Sequence, residues 1–256
     1  MGHHAQPGKH TVYYELLDAC AKGGCPACTL TLAAVTRYLE SITYEHVNDP
    51  EFRDAVVASR GYCNSHSWRL RELRVALGVA LIYRDVVRDA AEEIARRAGS
   101  GGGRPDVFGS TSGQGQGRGV RDRLAAFAGV RPGDVHGVPL GDPHRACPAC
   151  KERDISERLY LGALLDNAGD ERVAQGFRDA GGLCLVHLDR LVATARDAAA
   201  LDKLLTLQRE CLLRLDAELG EFIRKNDYRF QHEGMGAEAN SWVRALETVA
   251  GKPGIR

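Results

Sequence analysis

The sequence predicts an all-α protein made of two tandem helical repeats, each with a Cys3His metal site, followed by a C-terminal helical extension. Three observations predict it. Cys25-Pro26-Ala27-Cys28 is followed 35 residues later by Cys63-Asn64-Ser65-His66, and the pattern returns as Cys147-Pro148-Ala149-Cys150 and, 34 residues on, Cys184-Leu185-Val186-His187. Apolar residues outside these motifs recur at spacings of three and four, the period of a helix with one buried face. No stretch of convincing length alternates apolar and polar residues as a half-buried strand would.

The elements follow in order. Thr11 is placed to cap a short helix running to Ala21, with Val12, Leu16 and Leu17 on its apolar side. Gly23-Gly24 ends it. Pro26 suits the first turn of a second helix, where its missing N–H costs nothing, and Leu30, Ala34, Leu39 and Ile42 form that helix's buried stripe. Asn48-Asp49-Pro50-Glu51 reads as a new start, with Asp49 as N-cap, and Gly61 reads as the stop. From about Asn64 to Ala98 the pattern predicts one long amphipathic helix burying Leu70, Leu73, Leu77, Leu81 and Ile94.

Residues 99–119 are so rich in Gly, Ser and Gln that they read as a linker between a first repeat, 10–98, and a second repeat with its extension, 120–256. After it, Pro132-Gly133, Pro139 and Asp142-Pro143 mark turns around one short helical stretch from Val120 to Ala128. The second copy then repeats the plan. A helix runs from Pro148 to about Asn167, Gly169-Asp170 caps a short helix to Ala180, Gly181-Gly182 stops it, and a long helix extends from Leu185 as far as Lys225, carrying Leu188, Val192, Leu204, Leu212, Leu215, Leu219 and Phe222. Asp49 and Asp170 both lie 14 residues before the cysteine of their CxxH, so the cap is duplicated with the motif.

Each copy offers three thiols and one imidazole, a donor set suited to tetrahedral zinc with every position filled by protein, which marks a structural site. The expected ligands are Cys25, Cys28, Cys63 and His66 for one ion and Cys147, Cys150, Cys184 and His187 for the other. Iron–sulfur clusters or redox-active thiol pairs are the alternative use of the same residues. One geometric difficulty attends the pairing within a copy. A helix from Pro26 to Val47 carries the chain about 30 Å away, and a return from Pro50 to Arg60 recovers only about 16 Å. A bend near Ser41-Ile42-Thr43, or an oblique crossing, is then required.

Cys20 and Cys211 fall outside the motifs; Cys20, five residues before Cys25, is an alternative ligand, but both read best as packed core thiols. His46, His136 and His144 are further candidates, His144 because it sits three residues before Cys147. The segment from Phe222 to Glu233 is dense in aromatic and charged residues, has no counterpart in the first half, and leads through Gly234 and Gly236 into a last helix with Trp242 and Arg244. It is a candidate binding surface, and Tyr228, His232, Glu233, Trp242 and Arg244 are the residues an enzyme or cofactor carrier would use. No nucleophile or phosphate-binding loop accompanies them.

The 34 basic and 34 acidic residues cancel, which disfavours a partner bound mainly through phosphates. Every apolar run falls well short of the roughly 20 residues a membrane span needs, and no export-signal pattern marks the start, so a cytoplasmic location is expected. In that compartment thiols stay reduced, which favours metal clips over disulfides.

The two CPxC elements, Gly61-Tyr62-Cys63-Asn64-Ser65-His66 and Gly182-Leu183-Cys184-Leu185-Val186-His187, and the tail from Phe222 to Phe230 followed by Ser241 to Gly254 resemble an uncharacterised bacterial all-helical family, a domain of unknown function often labelled in genomes as ABC-transporter substrate-binding. The resemblance spans most of the chain apart from the linker. It implies a cytoplasmic helical metal-binding protein and carries no catalytic residues. The transporter label is at odds with the missing strand–helix alternation. Together these readings predict a non-enzymatic scaffold stabilised by two zinc ions, which binds a protein or small-molecule partner through the groove between halves or through residues 224–244.

Overall fold

The computed structural model describes residues 9–100 and 147–255. Among the described residues there are ten α-helices and no strands. They are α1 (Lys9–Ala21), α2 (Pro26–Tyr44), α3 (Pro50–Ala58), α4 (Asn64–Glu72), α5 (Ala76–Ser100), α6 (Pro148–Asp166), α7 (Glu171–Ala180), α8 (Leu185–Thr194), α9 (Ala198–Lys225) and α10 (Ser241–Ala250). Two 3-10 turns, Gln231–Glu233 and Ala237–Asn240, precede α10. The helical stretch expected at 120–128, His136, His144 and nearly all of the linker lie outside the described residues.

Local signals set most boundaries. Asp49 caps α3 by accepting from the Glu51 and Phe52 N–H groups, and Asp170 caps α7 by accepting from Arg172 and Val173. Gly23, Gly24, Gly61, Gly181 and Gly182 all take positive φ where the chain must turn out of a helix. Thr11, by contrast, lies inside α1, which starts two residues earlier.

Both long helices predicted from periodicity are broken. Arg74 adopts a left-handed φ of 58° between α4 and α5, and Asp197 caps α9 through the Ala199 and Ala200 N–H groups after α8 has ended. The break rotates the buried face of α5. Ile82 and Val86 are buried there, whereas Leu77 and Ile94 are 75% and 54% exposed; on α8, Val192 is also exposed. Gly99 and Ser100, assigned to the linker, are the last residues of α5.

The compact units interleave the two sequence halves. One takes the described residues up to Glu40 and from Lys151 onward; the other is Ser41–Cys150, and α2 runs from the first into the second. The core of the first unit contains Val12, Leu16, Leu30, Leu161, Leu164, Phe177, Leu191 and Leu204, with α7 packed on α1 and α9, and α10 on α8 and α9. Cys20 and Cys211 are buried helical thiols, and burial raises the Cys20 pKa to about 11. In the second unit, α5 packs on α3 and α4 and buries Ile82 and Val86. Arg53 Nε donates to Asp85 at 2.7 Å, Arg60 pairs with Asp89 at 2.9 Å, and the Ser67 and Tyr83 hydroxyls meet at 2.7 Å. Gly78 crosses the end of α2 so closely that a Cβ there would lie 3.0 Å from the Thr43 carbonyl oxygen.

Candidate metal centres

Each CxxH motif opens a helix. Cys63 and Cys184 are the N-cap residues of α4 and α8, with extended backbone, and His66 and His187 follow in the first turn. Each CPAC stands at the start of α2 or α6, so both sulfurs of a pair share one side of a helical turn. Free N–H groups at helix starts favour negative charge on nearby sulfur.

The structure brings all eight motif residues together in two buried groups of four, and each combines residues from both copies. Cys25, Cys28, Cys184 and His187 form one group; Cys63, His66, Cys147 and Cys150 form the other. The pairing expected within each copy is therefore corrected: the CPAC of one copy meets the CxxH of the other. Chain geometry explains it. The 19 residues of α2 run about 28 Å from Cys25, without a break at Ser41–Thr43, and the nine residues of α3 recover only about 13 Å. Cys63 is not returned to Cys25; it meets the start of α6 instead.

Within the first group, Cys28 Sγ lies 3.7 Å from Cys184 Sγ, and His187 Nδ1 lies 3.6, 3.4 and 3.2 Å from the sulfurs of Cys25, Cys28 and Cys184. In the second, Cys63 and Cys150 sulfurs are 3.7 Å apart, and His66 Nδ1 is 3.2, 3.6 and 3.5 Å from Cys63, Cys147 and Cys150. A tetrahedral ion with metal–sulfur bonds of about 2.3 Å and a metal–nitrogen bond of about 2.0–2.1 Å requires edges of about 3.8 Å between sulfurs and about 3.6 Å from sulfur to nitrogen. In each group the 3.7 Å sulfur–sulfur distance and the sulfur–nitrogen distances of 3.2–3.6 Å lie at or just below those edges, and all four donor atoms fall within 4.8 Å of one another. A disulfide, at about 2.05 Å, does not fit the sulfur separations.

Electrostatics point the same way. Burial pushes the Cys25 thiol well up, and it is likewise the main cause raising Cys147 and Cys150. Hydrogen bonds from the Cys25 and Cys28 thiols hold Cys184 far down. Burial pulls the His187 imidazole down, but Cys184 and Cys28 outweigh it and bring it up to about 9. Protein charges alone thus favour a Cys184 thiolate beside a His187 imidazolium. A divalent cation is the charge that lets three crowded sulfurs ionise together and leaves the imidazole neutral to ligate.

The surroundings of the first group were not foreseen from the sequence. Gly24 N–H donates to the Ala180 carbonyl at 2.9 Å, fixing the turn before Cys25. The buried Gln208 side chain accepts from Leu183 N–H at 2.8 Å and donates to Leu183 O at 3.0 Å, fixing the residue before Cys184. A Cβ on Gly182 would lie 2.6 Å from Gln208 Oε1, so this clamp needs glycine there. Glu157, 2% exposed, faces His187 Nε2 at 3.3 Å and also contacts Arg190. The signal was present in a buried stripe on α6, but one acid among many in a helix does not announce burial.

Other candidates do not join either group. His46 pairs at 3.9–4.0 Å with Glu45 and Asp49. In the C-terminal segment Arg224 takes Glu221 and Glu233, Lys225 takes Glu238, and Arg244 takes Glu218. Tyr228 and Trp242 are exposed, while Arg244 lines a small cavity of about 40 Å³ that also touches Cys25 and Cys184.

The model of a family of unknown function, DUF6062, matches residues 14–254. The chain belongs to that family. A DUF6062 chain thus carries two buried Cys3His groups that could hold metal ions. The chain is also similar to an uncharacterized 23.9 kDa protein in the xynA 3' region of Caldicellulosiruptor sp. (strain Rt8B.4), 24% identical over 233 residues that cover 89% of this chain and 95% of that protein. No solved structure matches the chain. Among the described residues of this DUF6062 protein, no helix is long and apolar enough to cross a membrane.

Proposed function

We propose that this protein is a non-enzymatic helical scaffold whose two compact units are each tied by one zinc ion in a Cys3His centre. The observation that carries the reading is the match of sulfur–sulfur and sulfur–nitrogen distances to the edges of a zinc tetrahedron in two separate places. Four protein ligands close each centre, so no position is open for a reacting water. Imidazole as the fourth donor favours zinc over an all-sulfur iron cluster. Each ion links parts of the chain far apart in sequence, the task of a structural metal. The outward stripe of Trp242, Leu246 and Val249 on α10, all more than half exposed, is the surface such a scaffold offers to a protein partner.

The test is elemental analysis of chain purified without added metal and without oxygen. Two zinc ions per chain, no visible chromophore, and loss of helicity on chelation are expected. A brown protein containing iron and sulfide would replace zinc with clusters, and a chain that folds normally with neither metal would end the scaffold reading.

A further inference from the structure

The small cavity beside the Cys25/Cys28/Cys184/His187 group plays no part in holding an ion, yet it ends on two of the sulfur donors. It lies between the Gly24–Cys25 turn, the turn from Ala180 to Cys184, α9 and α10. Arg214, Arg244, Glu247 and Thr248 stand along its walls, and Arg214 is exposed, so the cavity reaches the surface. Its volume is about 40 Å³. One water needs about 10–15 Å³ of such space, so about three water-sized molecules fit in a row.

Size decides what can use this route. Hydrogen peroxide is two bonded oxygens, little longer than a pair of waters, and it fits; a tripeptide thiol, a chelator or an aryl hydroperoxide does not. Cys25 and Cys184 are the donors along the cavity, and both are otherwise buried. Cys28 is fully buried and away from the cavity, but its Sγ stands 3.7 Å from Cys184 Sγ. A cysteine beside a second sulfur of this kind is the arrangement in which a sulfenic acid goes on to a disulfide. As a metal ligand Cys184 is held as the thiolate, the form that attacks peroxide.

We propose that Cys184 is a site of oxidation by hydrogen peroxide entering through the cavity, and that Cys28 completes the reaction as a Cys28–Cys184 disulfide, which expels the ion of this centre. This rests on the zinc reading above. In the first step Cys184 Sγ bonds to one peroxide oxygen, which keeps its hydrogen, the O–O bond breaks, and hydroxide leaves. In the second, Cys28 Sγ attacks Cys184 Sγ and displaces the sulfenic oxygen as a second hydroxide. The two thiolates give up two electrons, peroxide takes them, and solvent protonates both hydroxides to water. The sulfurs close from 3.7 Å to about 2.05 Å. Cys25 and His187 are left, two donors where a tetrahedral ion needs four. The new bond spans the same two positions that the ion had linked, so this centre gives up zinc on oxidation without losing its tie.

The experiment adds equimolar hydrogen peroxide to the full zinc-loaded chain, prepared without oxygen. Released zinc is followed with a fluorescent indicator, and disulfides are located by peptide mapping of the alkylated chain. Zinc release together with a Cys28–Cys184 disulfide is expected, reversed by a reductant and added zinc. Thr248→Phe, which fills the cavity from α10, slows formation of this disulfide about tenfold, because peroxide must then wait for a local opening of the chain. Thr248→Ser leaves the rate as it is. Cumene hydroperoxide, too wide for the cavity, reacts with the parent chain more slowly by a similar factor, and it carries the test if Thr248→Phe does not fold. A Cys25–Cys28 disulfide in place of Cys28–Cys184 overturns the inference while leaving the zinc reading intact. So do equal rates for Thr248→Phe and the parent, or for the two peroxides. A chain that holds no zinc before peroxide is added overturns the reading beneath it.

Discussion

On the zinc reading, stripping both ions is the perturbation whose size the structure sets most directly. The Cys63–Cys150 contact closes a loop of 87 residues, and by chain entropy such a closure contributes about 4.6 kcal/mol. With that loop closed, the Cys28–Cys184 contact closes only the two connecting stretches of 35 and 34 residues, which contributes about 4.4 kcal/mol. Together these come to about 9 kcal/mol, against a total of about 5–15 kcal/mol for a typical domain. At about 2–4 °C per kcal/mol for a chain of this size, the melting temperature should fall by about 20–35 °C. The assay is a thermal melt followed by far-ultraviolet circular dichroism, before and after chelation, with metal content measured on the same samples. A shift below about 5 °C with both ions gone would refute the reasoning, because the helical core would then hold without its ties.

Four further outcomes are expected. The exchanged pairing predicts that the double variant Cys25→Ser/Cys184→Ser keeps one ion while Cys25→Ser/Cys63→Ser keeps none; pairing within a copy predicts the reverse, and elemental analysis decides. A protease site inserted in the Gly-rich segment near 106–116 should give a cleaved chain that elutes as one species with zinc and as two fragments in chelator, because each centre draws two ligands from either side of the cut. Phe177→Ala, at a fully buried position, should cost about 3–5 kcal/mol in denaturant unfolding. The Val173 N–H, with help from Tyr13 and the Arg172 N–H, holds the Asp170 carboxyl below the usual range, so its contribution is complete above the unfolded-state value near about 3.9 and is lost as the pH falls through the lower folded value. Asp170→Ala should therefore melt lower than the parent at pH 7, and the gap should narrow as the pH falls below the unfolded-state carboxyl value of about 3.9.

What was readable in the chain divides by range. Caps at Asp49 and Asp170, the glycine stops and the buried stripe of α2 depend on neighbours within a few residues, and each stands where the local pattern put it. The breaks at Arg74 and Asp197 were hidden because apolar spacing continues across them; only a left-handed φ and a side-chain cap mark them. Ligand pairing was hidden for another reason. Two copies of the same motifs are unchanged by exchange of partners, so composition and spacing cannot tell which CPAC meets which CxxH. The mismatch between the lengths of α2 and α3 was the one local fact that bore on it, and it pointed against pairing within a copy. Glu157 and Gln208 matter because of what other segments bring to them, which no single stretch displays.

On the zinc reading, the exchanged Cys3His sets also fix the order in which a newly made chain can finish folding. When the ribosome has released the first hundred residues, four donors are present and neither tetrahedron can be completed, because the rest of each set has yet to be translated. The inner tie can close once residue 150 has emerged, and the outer tie must wait for residue 187. At about 5–20 residues per second the nascent protein spends seconds with unmatched thiols.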